Sequence, residues 1–202
     1  AYRFLQRVWR LLEERAEAIR SAHGTAWPAG ALPEDVRALR RATHQTIARV
    51  TRDLEDSFHF NTALAALMEL QNALLRFQER LPVGPAGDPR VLAFAEGVTA
   101  LLIMLAPFAP HMAEELWAML GHATSVFREP WPTADPVLAR EEQVEVVVQV
   151  NGKVRARLQV ARGQSEEQLR ALALGEPRIR QWIEGRAVRK AVVIPDKLVN
   201  IV

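Results

Sequence analysis

The period of the hydrophobic pattern changes near residue 143, and this change constrains the fold more than any other feature. Before it, apolar residues recur every three or four positions, as at Leu5, Val8 and Leu12, a spacing typical of amphipathic helices. After it, valines alternate with other residues over 144–150, the period of a half-buried strand. The sequence therefore predicts an α-helical bundle followed by a small α+β domain with antiparallel hairpins.

Prolines and glycines divide the helical part of the chain. Gly84 and Pro85 are expected to end the third of four or five helices. A later stretch, rich in proline, has no regular period and is expected to be a linker packed by Trp131. A chain of 202 residues is long enough for two domains. We predict a helical-bundle domain over 1–123, a linker over 124–140 and a small α+β domain over 141–202.

A β-hairpin is predicted at Asn151-Gly152, which lies between two alternating segments. A three-residue loop would place Gln149 opposite Lys153 and gather the valines on one face. The other face would then carry Lys153, Arg155 and Arg157. We expect this register, because the register of a two-residue turn would put valines and arginines on the same face.

The basic strand face is the predicted nucleic-acid surface. Cations at alternate strand positions suit a row of phosphates, and neutral amides add hydrogen bonds to a backbone. Cations of the last hairpin would extend this surface if the two hairpins share a sheet. The alternative is a solvated polar face on which Glu145 neutralises Arg157. The predicted nucleic-acid-binding residues are Gln149, Asn151, Lys153, Arg155, Arg157, Arg189, Lys190 and Lys197.

Charge is distributed unevenly along a chain whose net charge is +2. Residues 1–52 carry ten arginines against five acids, and residues 53–140 carry five arginines against eleven acids. Residues 151–202 carry eleven lysines and arginines against five acids. Basic ends around an acidic middle suggest a polyanionic partner. The alternative is a mixed, solvated surface, and charge alone does not decide between the two.

The sequence contains no self-sufficient catalytic constellation. The absence of cysteine excludes disulfides, cysteine-ligated metals and a cysteine nucleophile, and it fits a reducing, cytoplasmic setting. The five histidines include no pair at i, i+4, and no phosphate-binding glycine motif or nucleophile elbow occurs. We therefore predict no catalytic residue, no metal site and no cofactor in this chain.

Two further expectations concern the apolar residues. The longest apolar run, residues 91–110, contains Glu96 and ends in prolines, so it predicts a buried helix and no membrane span. Trp9, Trp117 and Trp182 are expected in the core.

Four segments resemble known families. Residues 60–72, FNTALAALMELQN, resemble the helix-bundle anticodon-binding domain of class I aminoacyl-tRNA synthetases for branched aliphatic amino acids. Residues 105–117, LAPFAPHMAEELW, share spaced prolines with the valyl and isoleucyl enzymes and the Pro-His step with the leucyl enzyme. The closest resemblance is to the C-terminal domain of bacterial leucyl-tRNA synthetases, in residues 147–155, VVQVNGKVR, and 193–202, VIPDKLVNIV.

The resemblance implies that the chain is the C-terminal, tRNA-binding part of a cytoplasmic leucine–tRNA ligase of protein biosynthesis. The two ATP-binding signatures of that family and its editing domain do not occur here, so we expect Ala1 to follow shortly after the catalytic core. ATP and Mg²⁺ would act in the parent enzyme.

The implied partners are leucine tRNA and the rest of a monomeric synthetase. The bundle would lie along the inner side of the L-shaped tRNA, and the terminal domain would contact its outer corner. The competing hypothesis is a freestanding helical protein-interaction module with an α+β tail.

Overall fold

The computed structural model describes residues 2–55, 58–82, 87–184 and 188–202. The chain divides into two compact units, one up to residue 140 and one from residue 141 onward. The predicted helix breakers Gly84 and Pro85, and the predicted start at Ala1, lie outside the described residues. The helical bundle followed by a small α+β domain is confirmed.

The first unit contains five α-helices in its described part, and α4 is the most buried of them. Leucine, valine, alanine and phenylalanine cover α4 almost all round, so α1, α2 and α3 can all pack against it. Among the described residues, no helix combines the length and apolar character needed to cross a membrane. The helices are α1 (Tyr2–Ala22), α2 (Glu34–Glu55), α3 (Phe60–Phe77), α4 (Pro89–Leu105) and α5 (Pro110–Met119).

A polar network with little exposure ties α2 to α4. The Arg40 guanidinium donates hydrogen bonds of 2.7 and 3.1 Å to the Glu96 carboxylate. His44 Nδ1 accepts from the Asp135 N–H at 3.1 Å, so Nε2 carries the proton that faces Glu96 at 3.2 Å. Burial of Glu96 raises its pKa, but the hydrogen bonds and charges of His44 and Arg40 outweigh that effect and lower the pKa overall.

The stretch predicted as a linker packs on α2. Trp131 Nε1 donates to Thr51 Oγ1 at 2.8 Å, and Gln45 Nε2 donates to the Ala139 carbonyl at 3.0 Å. These contacts place the stretch in the first compact unit. The division of that unit into a domain over 1–123 and a linker over 124–140 stays a prediction.

The second unit is a four-stranded sheet with two helices. The strand order is β2-β1-β4-β3, in which β1 and β4 are parallel and the other neighbours are antiparallel. Buried valines of β1 and β4 pack with Leu169 and Ile179 of the helices. The elements are β1 (Gln143–Val150), β2 (Lys153–Ala161), α6 (Glu166–Gly175), α7 (Pro177–Ile183), β3 (Ala191–Ile194) and β4 (Leu198–Ile201).

The predicted hairpin register is wrong. The loop has two residues, and Val150 pairs with Lys153. Asn151 and Gly152 both have positive φ, 50° and 75°, as a two-residue hairpin turn whose twist matches the strands requires. A β-bulge then leaves Arg155 without an opposing residue, and Val148 pairs with Ala156. The bulge restores the pairing of apolar residues, so the valines stay buried although the turn is shorter than predicted.

Candidate nucleic-acid interface

One end of the sheet in the second unit gathers polar and basic residues. The parallel strands β1 and β4 both finish here, and the turn at Asn151 joins β1 to β2. The Asn151 N–H donates to the Ile201 carbonyl at 2.9 Å, and the Gly152 N–H donates to Asn200 Oδ1 at 3.1 Å. The end of β4 therefore fixes the position of the hairpin turn.

Basic residues flank this end on both edge strands. Lys153 is exposed at the start of β2. Arg189 and Lys190 precede β3, and their N–H groups donate to the Val202 carbonyl at 2.8 and 3.0 Å. Three strand spacings of about 4.8 Å separate the two edges by about 14 Å. The sheet end is thus a basic surface as wide as the sheet itself.

The bulge directs Arg155 onto an aromatic ring. The Arg155 Cζ lies 3.4 Å from the centroid of the Trp182 ring, in a cation–π contact. The Nε of this guanidinium is buried and has no hydrogen-bond partner. Because Trp182 belongs to α7, which packs against β1 and β2, Arg155 is not on the same face as Arg157. The structure therefore divides the predicted strip of three cations.

A cavity of about 310 Å³ lies beside the tryptophan. Apolar side chains of β1, β4 and the segment after α7 form much of its wall. Asn151 and Arg189 supply polar groups, and Trp182 supplies an aromatic surface that is 44% exposed. A cavity of this size, lined by both apolar and polar groups, is large enough to hold a small ligand.

Two predicted residues lie away from this basic end. Arg157 forms a 2.6 Å ion pair with Glu145 on the outer face of the sheet. Lys197 lies in the turn between β3 and β4, at the opposite end of the sheet. Gln149 lies at the basic end, where it pairs with Val154 and Asn200, but it is half-buried. The other five predicted residues lie at this end of the sheet: Asn151, Lys153, Arg155, Arg189 and Lys190.

The expectation that Trp182 lies in the core is wrong. In α7, Ile179 is buried and Ile183 is half-buried, so these two residues define the inward face of the helix. Trp182 lies at the edge of that face and remains 44% exposed. The i, i+4 spacing of the isoleucines is the sequence signal that could have revealed this position. By contrast, Trp117 is buried as expected.

The first unit carries a separate row of arginines on α1. Arg3, Arg7 and Arg10 are exposed and line a shallow groove of about 420 Å³ together with Gln6. A rise of 1.5 Å per residue places the outer two arginines about 10 Å apart along the helix. None of the three forms an ion pair within the described part of the chain.

The described residues include no group of three or more histidine, cysteine or acidic side chains that could hold a metal ion. The two histidines that lie closest, His23 and His122, have ring centroids 4.7 Å apart. His122 also stacks on Trp117 at 3.6 Å. Burial lowers the pKa of His122, and the charge of His23 adds to the effect against that of Glu129.

Comparison with known families matches most of the chain. The model for the anticodon-binding domain of tRNA ligase matches residues 36–170. This range begins in α2 and ends in α6, so it includes most of the bundle and the first hairpin.

Individual relatives match over the whole chain. The leucine–tRNA ligases of Syntrophobacter fumaroxidans and Syntrophus aciditrophicus are 45% and 42% identical to it over 204 residues. These matches cover 100% of this chain but only 24% and 23% of the two enzymes. The chain thus spans about a quarter of the length of the curated relatives it matches.

A solved structure shares the fold. It is the crystal structure of the ternary complex of Agrobacterium radiobacter K84 agnB2 LeuRS, tRNA and LeuAMS, with a TM-score of 0.77 and 33% sequence identity. The similarity covers 98% of this chain and 24% of that one.

Proposed function

This chain belongs to the family of anticodon-binding domains of tRNA ligases, and on that premise we propose that it is the tRNA-binding C-terminal portion of a leucine–tRNA ligase. Its role is to dock and position leucine tRNA. Aminoacylation and editing would be carried out by domains outside this chain, which would also use ATP and Mg²⁺. We propose a monomer in the cytoplasm, whose partners are leucine tRNA and the rest of the synthetase.

The observation that carries this proposal is the group of unpaired cations at one end of the sheet. Lys153, Arg155, Arg189 and Lys190 form no ion pair within the described part of the chain. Elsewhere in the same unit, Arg157 and Arg162 lie within ion-pair distance of carboxylates. Cations without acidic partners can bind phosphates with no competing charge.

The contacts expected here are with the backbone and shape of the RNA, because folded RNA is read mainly in that way. The arginines of α1 would add a second phosphate-binding surface on the bundle. The family match favours this function over a freestanding protein-interaction module. All eight predicted residues remain candidates. Asn151 and the four unpaired cations at the sheet end are the strongest, and Arg157, whose charge Glu145 balances, is the weakest.

A salt titration of tRNA binding tests the proposal. The 202-residue chain would be titrated with leucine tRNA, a second tRNA with a long variable arm and a tRNA with a short one. We expect binding that weakens linearly on a plot of log K against log salt. Preference for leucine tRNA would place part of the discrimination in this chain, and equal binding would make the chain a positioning module. No binding of any tRNA at low salt would refute the proposed function.

A further inference from the structure

The cavity beside Trp182 has two kinds of wall. Val150, Ile201 and Ile183 contribute aliphatic surface, and the tryptophan contributes its ring. Asn151 and Arg189 contribute polar surface. The side chain of Asn151 forms no hydrogen bond within the described part of the chain, so its amide is available to a ligand. A flat ligand with polar edges suits these walls.

We propose that this cavity accepts one unpaired nucleobase of the bound tRNA. Bases of single-stranded loops stack on aromatic side chains and form hydrogen bonds through their edges. Trp182 provides the stacking surface. Asn151 and Arg189 carry the amide and guanidinium groups that hydrogen-bond base edges. The inference rests on the proposed function and adds a base-binding subsite to it.

The surroundings of the cavity favour a base in a nucleic-acid chain over a free nucleotide. Arg155, on the Trp182 ring, and Lys190, next to Arg189 in sequence, have no carboxylate partner in the described residues. Lys153 adds a third unpaired cation at the same end of the sheet. A free nucleoside monophosphate carries a single phosphate group, which would leave some of these cations without a phosphate. An RNA loop carries several phosphates, which can occupy all of them. A base held here would therefore bring its neighbouring phosphates onto the cations.

The stack of Arg155 on Trp182 has a matched counterpart in the first unit. Arg40 Cζ lies 4.0 Å from the centroid of the Trp27 ring, and Trp27 is 36% exposed. Arg40, however, is neutralised by Glu96 at 2.7 Å. Trp27→Leu is therefore a matched control. It also removes a partly exposed tryptophan that lies against an arginine, but that arginine already has a carboxylate partner.

Chemical probing of tRNA bases in complex with the full chain tests the proposal. A reagent that modifies unpaired base edges would be applied to leucine tRNA alone, with the wild-type chain, and with Trp182→Leu, Asn151→Gly or Trp27→Leu. Asn151→Gly removes the amide but keeps a residue that tolerates the positive φ of the turn. Circular dichroism and thermal melting would verify that each variant is folded.

We expect the wild-type chain to protect at least one unpaired base, and both variants at the cavity to lose that protection. Trp182→Leu should weaken binding by about 5- to 150-fold, the range measured for one stacked base. The slope of log K against log salt should stay nearly constant, because a base stack releases few counterions. Trp27→Leu should keep both the affinity and the protection.

Other outcomes distinguish failure of the base subsite from failure of the proposed function. Salt-sensitive binding without base protection, or protection that survives in Trp182→Leu and Asn151→Gly, would overturn the base subsite and leave the proposed function standing. Failure of every tRNA to bind would overturn both. Titration with AMP, CMP, GMP and UMP is the final arm. Suppose that a free nucleotide quenched the tryptophan fluorescence of the wild-type chain but not that of Trp182→Leu, while no tRNA base was protected. The tRNA as the source of the base would then be refuted.

Discussion

Neutralisation of the four unpaired cations at the sheet end should change the salt dependence of tRNA binding by a calculable amount. The variant replaces Lys153, Arg155, Arg189 and Lys190 by alanine. Each phosphate contact contributes about 0.7–0.9 to the slope of log K against log salt. Four contacts therefore predict a decrease in the magnitude of this slope of about 3–4.

The assay is filter binding or fluorescence anisotropy with leucine tRNA between 50 and 200 mM salt. Over this fourfold range, the wild-type chain should lose about 50- to 150-fold more affinity than the quadruple variant.

Arg157→Ala is the matched control for these charge variants. Arg157 belongs to the same strand as Arg155, but its 2.6 Å ion pair with Glu145 already balances its charge. Its replacement should therefore change the slope by much less than 0.7. The reasoning is refuted if Arg157→Ala changes the slope as much as Arg155→Ala does, or if the quadruple variant keeps the wild-type slope.

Three further predictions concern stability. Glu96→Leu should lower the free energy of unfolding, measured by urea titration, by about 3–5 kcal/mol because it leaves the Arg40 guanidinium unpaired. Addition of Arg40→Met should restore part of this loss. If the losses of the two single variants simply added in the double variant, the two residues would not be coupled. The pKa of Glu96 is lowered in the folded chain. Ionised Glu96 therefore stabilises the fold fully at pH values above its unfolded pKa, and this stabilisation is lost as the pH falls through the folded pKa. Glu96→Gln should reduce the loss of stability at acidic pH, and an unchanged loss would show that other groups cause it. Gly152→Ala should cost about 1–2 kcal/mol, since the residue has a φ of +75°, and thermal melting that shows no loss would argue against the two-residue turn.

Local signals in the sequence predicted the elements of the fold well. The alternating valines predicted β1. The capping box that begins α6 also has a local sequence signature, because Ser165 and Gln168 are three residues apart. Each of these features depends on residues close together in sequence. The helices of the bundle were predictable for the same reason, since their apolar spacing is local.

The hairpin register and the candidate site depended on distant or compensating features. A two-residue turn alone would have misaligned the apolar residues, and the bulge at Arg155 that corrects this leaves no local signature. The contact between Arg155 and Trp182 joins residues from separate elements, so no spacing in the sequence encodes it. The sequence therefore predicted which basic residues lie near the hairpins but not how the fold arranges them.

The strand order of the second unit also determines when its strands can pair during synthesis. β1 cannot acquire its parallel neighbour until β4, about fifty residues later in the chain, has been synthesised. At about 5–20 residues per second, the nascent hairpin waits roughly 2–8 seconds with one edge of β1 open. Five helices of the bundle precede residue 141, so they can fold during that interval. The basic end of the sheet, which needs Ile201 to hold the turn at Asn151, can therefore form only after β4 has been synthesised.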